Sequence, residues 1–401
     1  MENYYRSLGT YFKNENNVKN NVNIKLYNTS EIKIVLVGLN EPREELKPVY
    51  KILRVDYNGE DPKQKKIVEQ LNRYLKENGL RDGYKDEKNF WGIFYLLKEI
   101  ITSFQELNFN YFRGQSQQWE AIPRIFRRME NSNGELFYEK FEGLYKTISQ
   151  EFPDDLTYHC LNQENIEKRC DQLSILQHYG FPTSLLDITE NPYIAMLFMV
   201  SSDEMVIPKF EMYQIDRELH TEKGIVSFVH KVDKNKRISA QRGAFLNYDK
   251  LSKYTRFEKE NIVLSSDYVA INKVVISLEF SKEETVKELE NLLEEVPSST
   301  EDPGSKELTN KNLENLIELI KNKEKEMVGS YYRYIQGQIM RKLNEYNYFS
   351  SDLYPDFHDY INYQAKEFNS TKEKGTIVPD IIEKLSSVLE GALGALSSNI
   401  R

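Results

Sequence analysis

Long apolar runs, cysteine and tryptophan are all scarce in this 401-residue sequence. No stretch of 18 or more apolar residues occurs, so no transmembrane helix is predicted. The first residues, MENYYR, have neither the basic start nor the apolar segment of a secretory signal, so a cytoplasmic protein is expected. Two cysteines, Cys160 and Cys170, cannot form a disulfide framework, which agrees with a reducing compartment.

An excess of positive charge is also missing. The chain has 54 Lys+Arg against 63 Asp+Glu, a net charge of −9, which excludes a general nucleic-acid coat and leaves a local basic patch open. Walker loops, dinucleotide-binding glycine fingerprints, HExxH and paired CxxC motifs are absent. The five histidines are scattered, so no metal site is predicted, and the composition leaves the cofactor open.

The remaining composition is that of a globular protein, with 39% hydrophobic and 29% charged residues. At roughly 150 residues per domain, the length suggests two or three units. Shifts in composition divide the chain into five predicted segments. In order, these are an N-terminal α/β region at 1–85, a main domain at 86–281, a charged helical hairpin insertion at 282–335, a closing segment at 336–370 and a C-terminal amphipathic helix at 371–401.

Hydrophobic periodicity predicts a mixture of helices and short strands. The first 25 residues are polar and Asn-rich, which predicts an irregular start. Predicted strands are 32–37, 49–57, 110–114, 224–229 and 273–278, and predicted helices are 62–78, 89–107, 135–151, 163–179 and 190–201. No regular βαβ repeat occurs, so we expect an α+β fold with a mixed, mainly antiparallel sheet and surrounding helices.

Two charged amphipathic helices are predicted at 283–296 and 311–326, separated by a Pro/Ser/Gly linker. The sequence leaves two interpretations of residues 283–330, which are a solvated appendage and a protein-binding surface. The apolar side of 379–396 favours docking on the body of the protein or self-association.

Three short segments combine residue types that can carry chemistry. In the first, Arg113 stands between aromatics and Gly114, where its planar guanidinium suits a phosphate or a carboxylate. Arg124, Arg127 and Arg128 follow and add positive charge. A structural ion pair for Arg113 is the open alternative.

The second and third segments are less specific. In 177–192, Thr183, Ser184 and Asp187 precede a helix that Thr189 or Asn191 can cap, so capping and ligand binding are alternatives. In 238–246, Gln241 and Gly243 lie on a probable strand, where a glycine allows close approach of a ligand.

In this order, the segments resemble the FRG domain family. The resemblance is carried by YFRGQS with Trp119 and IPRIFR, by LSILQHYGFPTSLLDITENPYIAMLF, by SAQRGAFL, and by YFSSDLYPDFHDY at 348–360. It covers about 86–281 and 336–365. Family members often have Arg at Ser184, Trp at Ile188 and a second Gln at Arg242, so this chain lacks one cation of the middle segment.

The order of Arg113, Thr183/Ser184 and Gln241 is also similar to that of ADP-ribosyltransferases, which implies such a fold and NAD as a substrate. The resemblance implies a nucleotide or other anionic small molecule in a pocket with catalytic Arg113, Asp187 and Gln241. The ligand-binding residues that it implies are Tyr111, Gln115, Arg124, His178, Thr183, Ser184 and Asn191.

Arginine-specific transferases carry a Glu where this chain has Gly243, and Gln241 cannot supply its negative charge, so Asp187 is the candidate carboxylate. Two functions follow. One is a nucleotide-modifying transferase, such as a toxin or anti-phage effector. The other is a non-catalytic module that binds an anionic ligand or a partner through 283–330 and oligomerises through 379–396.

Overall fold

An eight-stranded mixed sheet organises the computed structural model. The structure describes residues 2–13, 25–39, 50–77, 92–118, 120–127, 135–201, 207–228, 243–258, 261–295 and 324–353, together with the isolated residues Glu314, Ile317 and Ile361. Its strands are β1 (Tyr27–Gly38), β2 (Tyr50–Asn58), β3 (Tyr111–Gln115), β4 (Leu185–Thr189), β5 (Lys209–Gln214), β6 (Val226–Ser227), β7 (Gly243–Asn247), β8 (Thr255–Glu258), β9 (Asn261–Leu264) and β10 (Ile271–Phe280). The spatial order in the large sheet is β2-β1-β10-β5-β3-β4-β7-β6, and β8 pairs with β9 separately.

Helices cover both faces of this sheet. They are α1 (Glu2–Lys13), α2 (Pro62–Glu77), α3 (Ile93–Gln105), α4 (Phe137–Glu151), α5 (Ile166–His178), α6 (Pro192–Met199), α7 (Arg217–Glu222), α8 (Lys282–Glu295) and α9 (Glu324–Glu345). Within the sheet, β1 and β10 are parallel and the other recorded pairs are antiparallel. The predicted α+β class with a mainly antiparallel sheet is confirmed. Among the described residues, no helix is long and apolar enough to cross a membrane.

Side-chain alternation divides the sheet into two faces with different chemistry. On one face, Phe112, Met212 and Ile276 lie in an apolar core with residues of α2, α3, α6, α8 and α9. On the other face, Tyr111 and Tyr213 begin a second core with residues of α1, α4 and α5. Polar side chains continue this second face along the same strands, and the candidate site lies there.

The sheet continues across the predicted boundary at residue 85, because all ten pairs of the β1–β10 ladder join the N-terminal region to the main domain. Helix α9 likewise runs across the predicted boundary at 335. Helix α8 is packed against the sheet, with Leu289 buried and Arg54 bonded to Glu284 at 3.2 Å. The linker, most of the second hairpin helix and the 379–396 helix lie outside the described residues.

One local prediction is wrong and one strand was missed. The irregular start expected before residue 25 is helical over Glu2–Lys13, because Tyr5, Leu8 and Tyr11 recur at helical spacing and are buried. Strand β4 at Leu185–Thr189, paired with β3 and β7, was not among the predicted strands. Four of its five residues are buried, so LLDIT lacks the regular alternation that marks a half-exposed strand.

Strand β3 and helix α6 touch at Gly114. A Cβ atom at Gly114 would lie 1.7 Å from the carbonyl oxygen of Ala195 and 2.8 Å from the amide nitrogen of Met199. Both are backbone atoms, so no side-chain rotation relieves the overlap. Only glycine therefore allows this separation of strand and helix.

A fully buried arginine joins four segments beneath the second core. Arg169 of α5 donates from Nε to Asp249 Oδ2 at 2.7 Å, from Nη1 to the His159 carbonyl at 2.6 Å and from Nη2 to the Tyr5 hydroxyl at 2.8 Å. It also pairs with Glu142 of α4. Because every nitrogen of this guanidinium has a partner, its burial is compensated.

We expect Gly114→Ala to lower the free energy of unfolding by at least 1–3 kcal/mol, roughly the cost of overpacking, because β3 and α6 must separate. Urea unfolding measures this change. Gly143→Ala is the matched control, since a Cβ at Gly143 of α4 meets nothing within 4 Å and alanine stabilises a helix interior by about 0.5–1 kcal/mol. Equal stability of the two variants would contradict the close contact.

We expect Arg169→Met to destabilise the protein by about 3–5 kcal/mol, because it leaves the Asp249 and Glu142 carboxylates without their buried cation. The control is Arg6→Met, which removes an arginine whose side chain is 68% exposed and which pairs with Glu139. That change should cost under about 1 kcal/mol. A similar shift in the urea midpoint for both variants would show that Arg169 is not a structural hub.

Candidate functional site

Arg113 lies on the polar face of β3, between Phe112 and Gly114, which face the apolar core. Its side chain is 14% exposed, and Nη1 donates to the carbonyl of Asp187 on β4 at 2.7 Å. Its Nε lies 4.0 Å from Glu211 Oε2 and is buried without a hydrogen-bond partner in the described part of the chain. Arg113 is therefore held in place, with one buried donor unpaired beside Glu211.

Arg124 and Arg127 lie near Arg113. Arg124 Nη1 donates to the Gly180 carbonyl at 3.0 Å, and Arg127 Nε donates to the Ile122 carbonyl at 3.2 Å. Burial, together with repulsion from Arg113 and Arg124, lowers the pKa of Arg127. These carbonyls orient the guanidinium groups without cancelling their charge. The three residues, called the arginine cluster below, form a concentration of positive charge.

The turn between α5 and β4 is fixed by its own side chains. The Thr183 hydroxyl donates to the amide oxygen of Gln177, and the Gln177 amide nitrogen donates to Asp187 Oδ2 at 2.8 Å. The Thr183 carbonyl accepts from the Ile125 amide at 3.2 Å, which attaches the turn to the segment of the arginine cluster. The structure thus places two of the predicted residues, Thr183 and Asp187, in one hydrogen-bonded turn. The Thr183 hydroxyl is bonded to Gln177 within this turn.

Two predicted ligand-binding residues carry buried polar atoms with no partner among the described residues. Gln115 is 5% exposed, and both polar atoms of its amide lack a hydrogen bond. Ser184 is fully buried, and its hydroxyl also lacks one. An unsatisfied buried polar group costs about 1–3 kcal/mol, so such groups call for a functional explanation.

Other predicted residues have structural partners. Tyr111 donates to Glu190 Oε1 at 2.6 Å. Asn191 caps α6 by accepting from the amides of Tyr193 and Ile194, as the capping alternative predicted, and donates to the Tyr348 hydroxyl at 3.1 Å. His178 ends α5 with its ring edge-on to Tyr179. Gln241 lies outside the described residues.

A buried carboxylate beside Arg113 is missing from the sequence-based prediction. Glu211 of β5 is fully buried, lies 3.3 Å from Lys209 Nζ and 3.9 Å from Lys273 Nζ, and accepts from the Tyr213 hydroxyl at 2.8 Å. Burial alone would raise its pKa, but Lys209, Lys273 and Arg113 together lower it. The alternation of Lys209, Glu211 and Tyr213 with apolar residues in KFEMYQ was the available signal.

Glu211 also borders a cleft with a volume of about 930 Å³. Lysines and carboxylates line it together, including Lys33, Lys273, Glu31 and Glu120, and tyrosines form part of its wall. None of the predicted site residues that the structure describes lines this cleft. The arginine cluster is thus a separate feature, joined to the cleft through Glu211 and Ile122.

Because its folded-state pKa lies below the ordinary value of 4.5, Glu211 stabilises the folded protein above that pH and loses this effect as the pH falls through the folded-state pKa. We expect Glu211→Gln to be less stable at pH 7 and to show a smaller loss of stability between pH 5 and pH 3. Urea unfolding at each pH measures both. Glu279→Gln, at a half-exposed pair with Lys33, is the control. Parallel pH curves for wild type and Glu211→Gln would refute the effect.

Comparison with known proteins bears on the segment that builds this site. The family model of the FRG domain matches residues 108–206, which include Arg113, the arginine cluster, the Gln177–Asp187 turn and α6. No curated protein and no solved structure matches the chain. The similarity to ADP-ribosyltransferases therefore stays a prediction. The chain contains an FRG domain, and its Phe112-Arg113-Gly114 signature is the point at which β3 contacts α6 and presents an arginine on the opposite face.

Proposed function

We propose that the FRG domain of this protein binds a phosphate-bearing small molecule, of the nucleotide class, at the arginine cluster. The observation that carries the proposal is the proximity of Arg113, Arg124 and Arg127, since repulsion from Arg113 and Arg124 adds to the effect of burial in lowering the pKa of Arg127. Mutual repulsion of cations destabilises the folded state, and an anion placed between them relieves it. A guanidinium fork suits the paired oxygens of a phosphate.

The neighbouring neutral groups support the same ligand class. Gln115 offers an amide donor and acceptor, and Ser184 offers a hydroxyl, all of them buried without partners among the described residues. Ser184 stands where FRG domains often have Arg, and the Thr183–Ile125 hydrogen bond brings the segment of Arg124 and Arg127 to this position. These two arginines compensate for the missing cation.

Group transfer from a bound nucleotide is the second candidate, and Asp187 favours it. Its carbonyl accepts from Arg113, while its exposed carboxylate is oriented by the Gln177 amide. A carboxylate on the strand next to a phosphate-binding arginine can stabilise positive charge that develops on a ribose. If this reaction occurs with NAD, the bond between the ribose and nicotinamide breaks, nicotinamide leaves, and the same ribose carbon bonds to the oxygen of an acceptor hydroxyl or of water, which gives up its proton.

We expect ADP and NAD to bind the wild-type protein and to bind Arg113→Gln and Arg127→Gln about 10- to 150-fold more weakly. This loss corresponds to the 1.5–3 kcal/mol of a hydrogen bond to a charged group. Isothermal titration calorimetry measures it. Arg73→Gln, at an exposed position of α2 on the other side of the sheet, makes the same change in net charge and should bind as the wild type does.

Thermal unfolding of each variant separates a ligand-binding arginine from a structural one. Weak binding by variants that unfold at the wild-type temperature supports the proposal. Absence of binding to the folded wild type, or an equal loss in Arg73→Gln, overturns it. Nicotinamide release in the NAD titrations, lost in Asp187→Asn, would identify the transferase, whereas binding without release would indicate the non-catalytic module.

A further inference from the structure

We infer that Tyr179 is a stacking surface for the base of a nucleotide whose phosphate lies on the arginine cluster. The inference rests on the proposed function and specifies its ligand, because it requires an aromatic ring in addition to phosphate. It adds a residue that the sequence-based prediction did not include.

The exposure of Tyr179 is unusual for a large aromatic side chain. It is 72% exposed, more than the other large apolar side chains that are exposed in the described residues, such as Phe152 at 60% and Tyr74 at 44%. An exposed ring at a fixed position offers apolar area and a π face to solvent. Stacking of a base on such a ring contributes to binding for any base, because every base has a π face.

Tyr179 is the chain neighbour of a residue that contacts the arginine cluster. The residue that follows it, Gly180, accepts from Arg124 Nη1 at 3.0 Å. Gly180 has a φ of +83°, and a Cβ added to it would meet nothing within 4 Å. The space beside this turn is therefore open, and the Arg124 guanidinium reaches the same turn. An open turn that carries an aromatic ring and binds a guanidinium suits a base joined to a phosphate.

The turn that carries Tyr179 is held in one conformation. The Gly180 amide donates to the Gln177 carbonyl at 2.9 Å, and the Phe181 amide donates to the Leu176 carbonyl at 3.0 Å. The Phe181 ring packs edge-on against Phe137 of α4, and the His178 ring lies edge-on to Tyr179 with centroids 5.0 Å apart. A ring on a pre-organised turn loses little conformational entropy when a ligand stacks on it.

Paired titrations with ADP and inorganic pyrophosphate test this inference, because only ADP carries a base. We expect Tyr179→Ala to weaken ADP binding about tenfold or more and to leave pyrophosphate binding unchanged. Tyr179→Phe keeps the ring and should bind ADP as the wild type does. Tyr74→Ala, which removes an exposed tyrosine from α2 on the other side of the sheet, is the matched control and should leave both affinities unchanged.

The outcomes separate this inference from the proposed function. The stacking inference is overturned if pyrophosphate and ADP bind the wild type with equal affinity. It is also overturned if Tyr179→Ala leaves ADP binding unchanged. Either result leaves the proposed phosphate site unaffected. A loss of ADP binding in Tyr179→Phe as strong as in Tyr179→Ala also overturns it, because the hydroxyl and not the ring would then be responsible. If neither probe binds the folded wild type, the phosphate site fails and the stacking inference fails with it.

Discussion

The contact between the backbones of β3 and α6 at Gly114 governs the position of the candidate site. Because no side chain separates the strand from the helix there, Phe112 is pressed into the apolar core and Arg113 must point to the opposite face. The Asp187 carbonyl of the next strand then fixes its guanidinium. The three signature residues thus have three different physical roles, namely core packing, charge and close approach.

Two arginines, Arg169 and Arg113, differ in how completely their guanidinium groups are paired. Arg169 has carboxylates, a hydroxyl and a carbonyl around its guanidinium, and every nitrogen is paired. Arg113 donates to the Asp187 carbonyl and lies 4.0 Å from the Glu211 carboxylate. Its Nε has no hydrogen bond among the described residues. Complete pairing favours stability, whereas a cation left partly unpaired near two others favours recognition of an anion.

Much of the secondary structure could be predicted because periodicity is a local property of the sequence. Helices α2, α3, α4, α5 and α6 and strands β1, β2, β3 and β10 agree with the predicted segments to within a few residues, apart from an earlier start of β1. Helix α1 was missed because its polar, Asn-rich setting concealed four apolar positions that are buried only by distant residues such as Tyr248. Strand β4 was missed because four of its five residues are buried, which removes the regular alternation that marks a half-exposed strand.

The order of residues alone identified the FRG segments and the arginines that follow Arg113, and it limited the cap of α6 to Thr189 or Asn191. These depend on short spacings and on the chemistry of single side chains. Only the tertiary structure placed Glu211 between Lys209, Lys273 and Arg113, because those residues come from three strands that are far apart in the chain and adjacent in the sheet. Exposure of Tyr179 beside Arg124 was decided in the same way, since whether a ring is buried depends on what the rest of the chain packs against it.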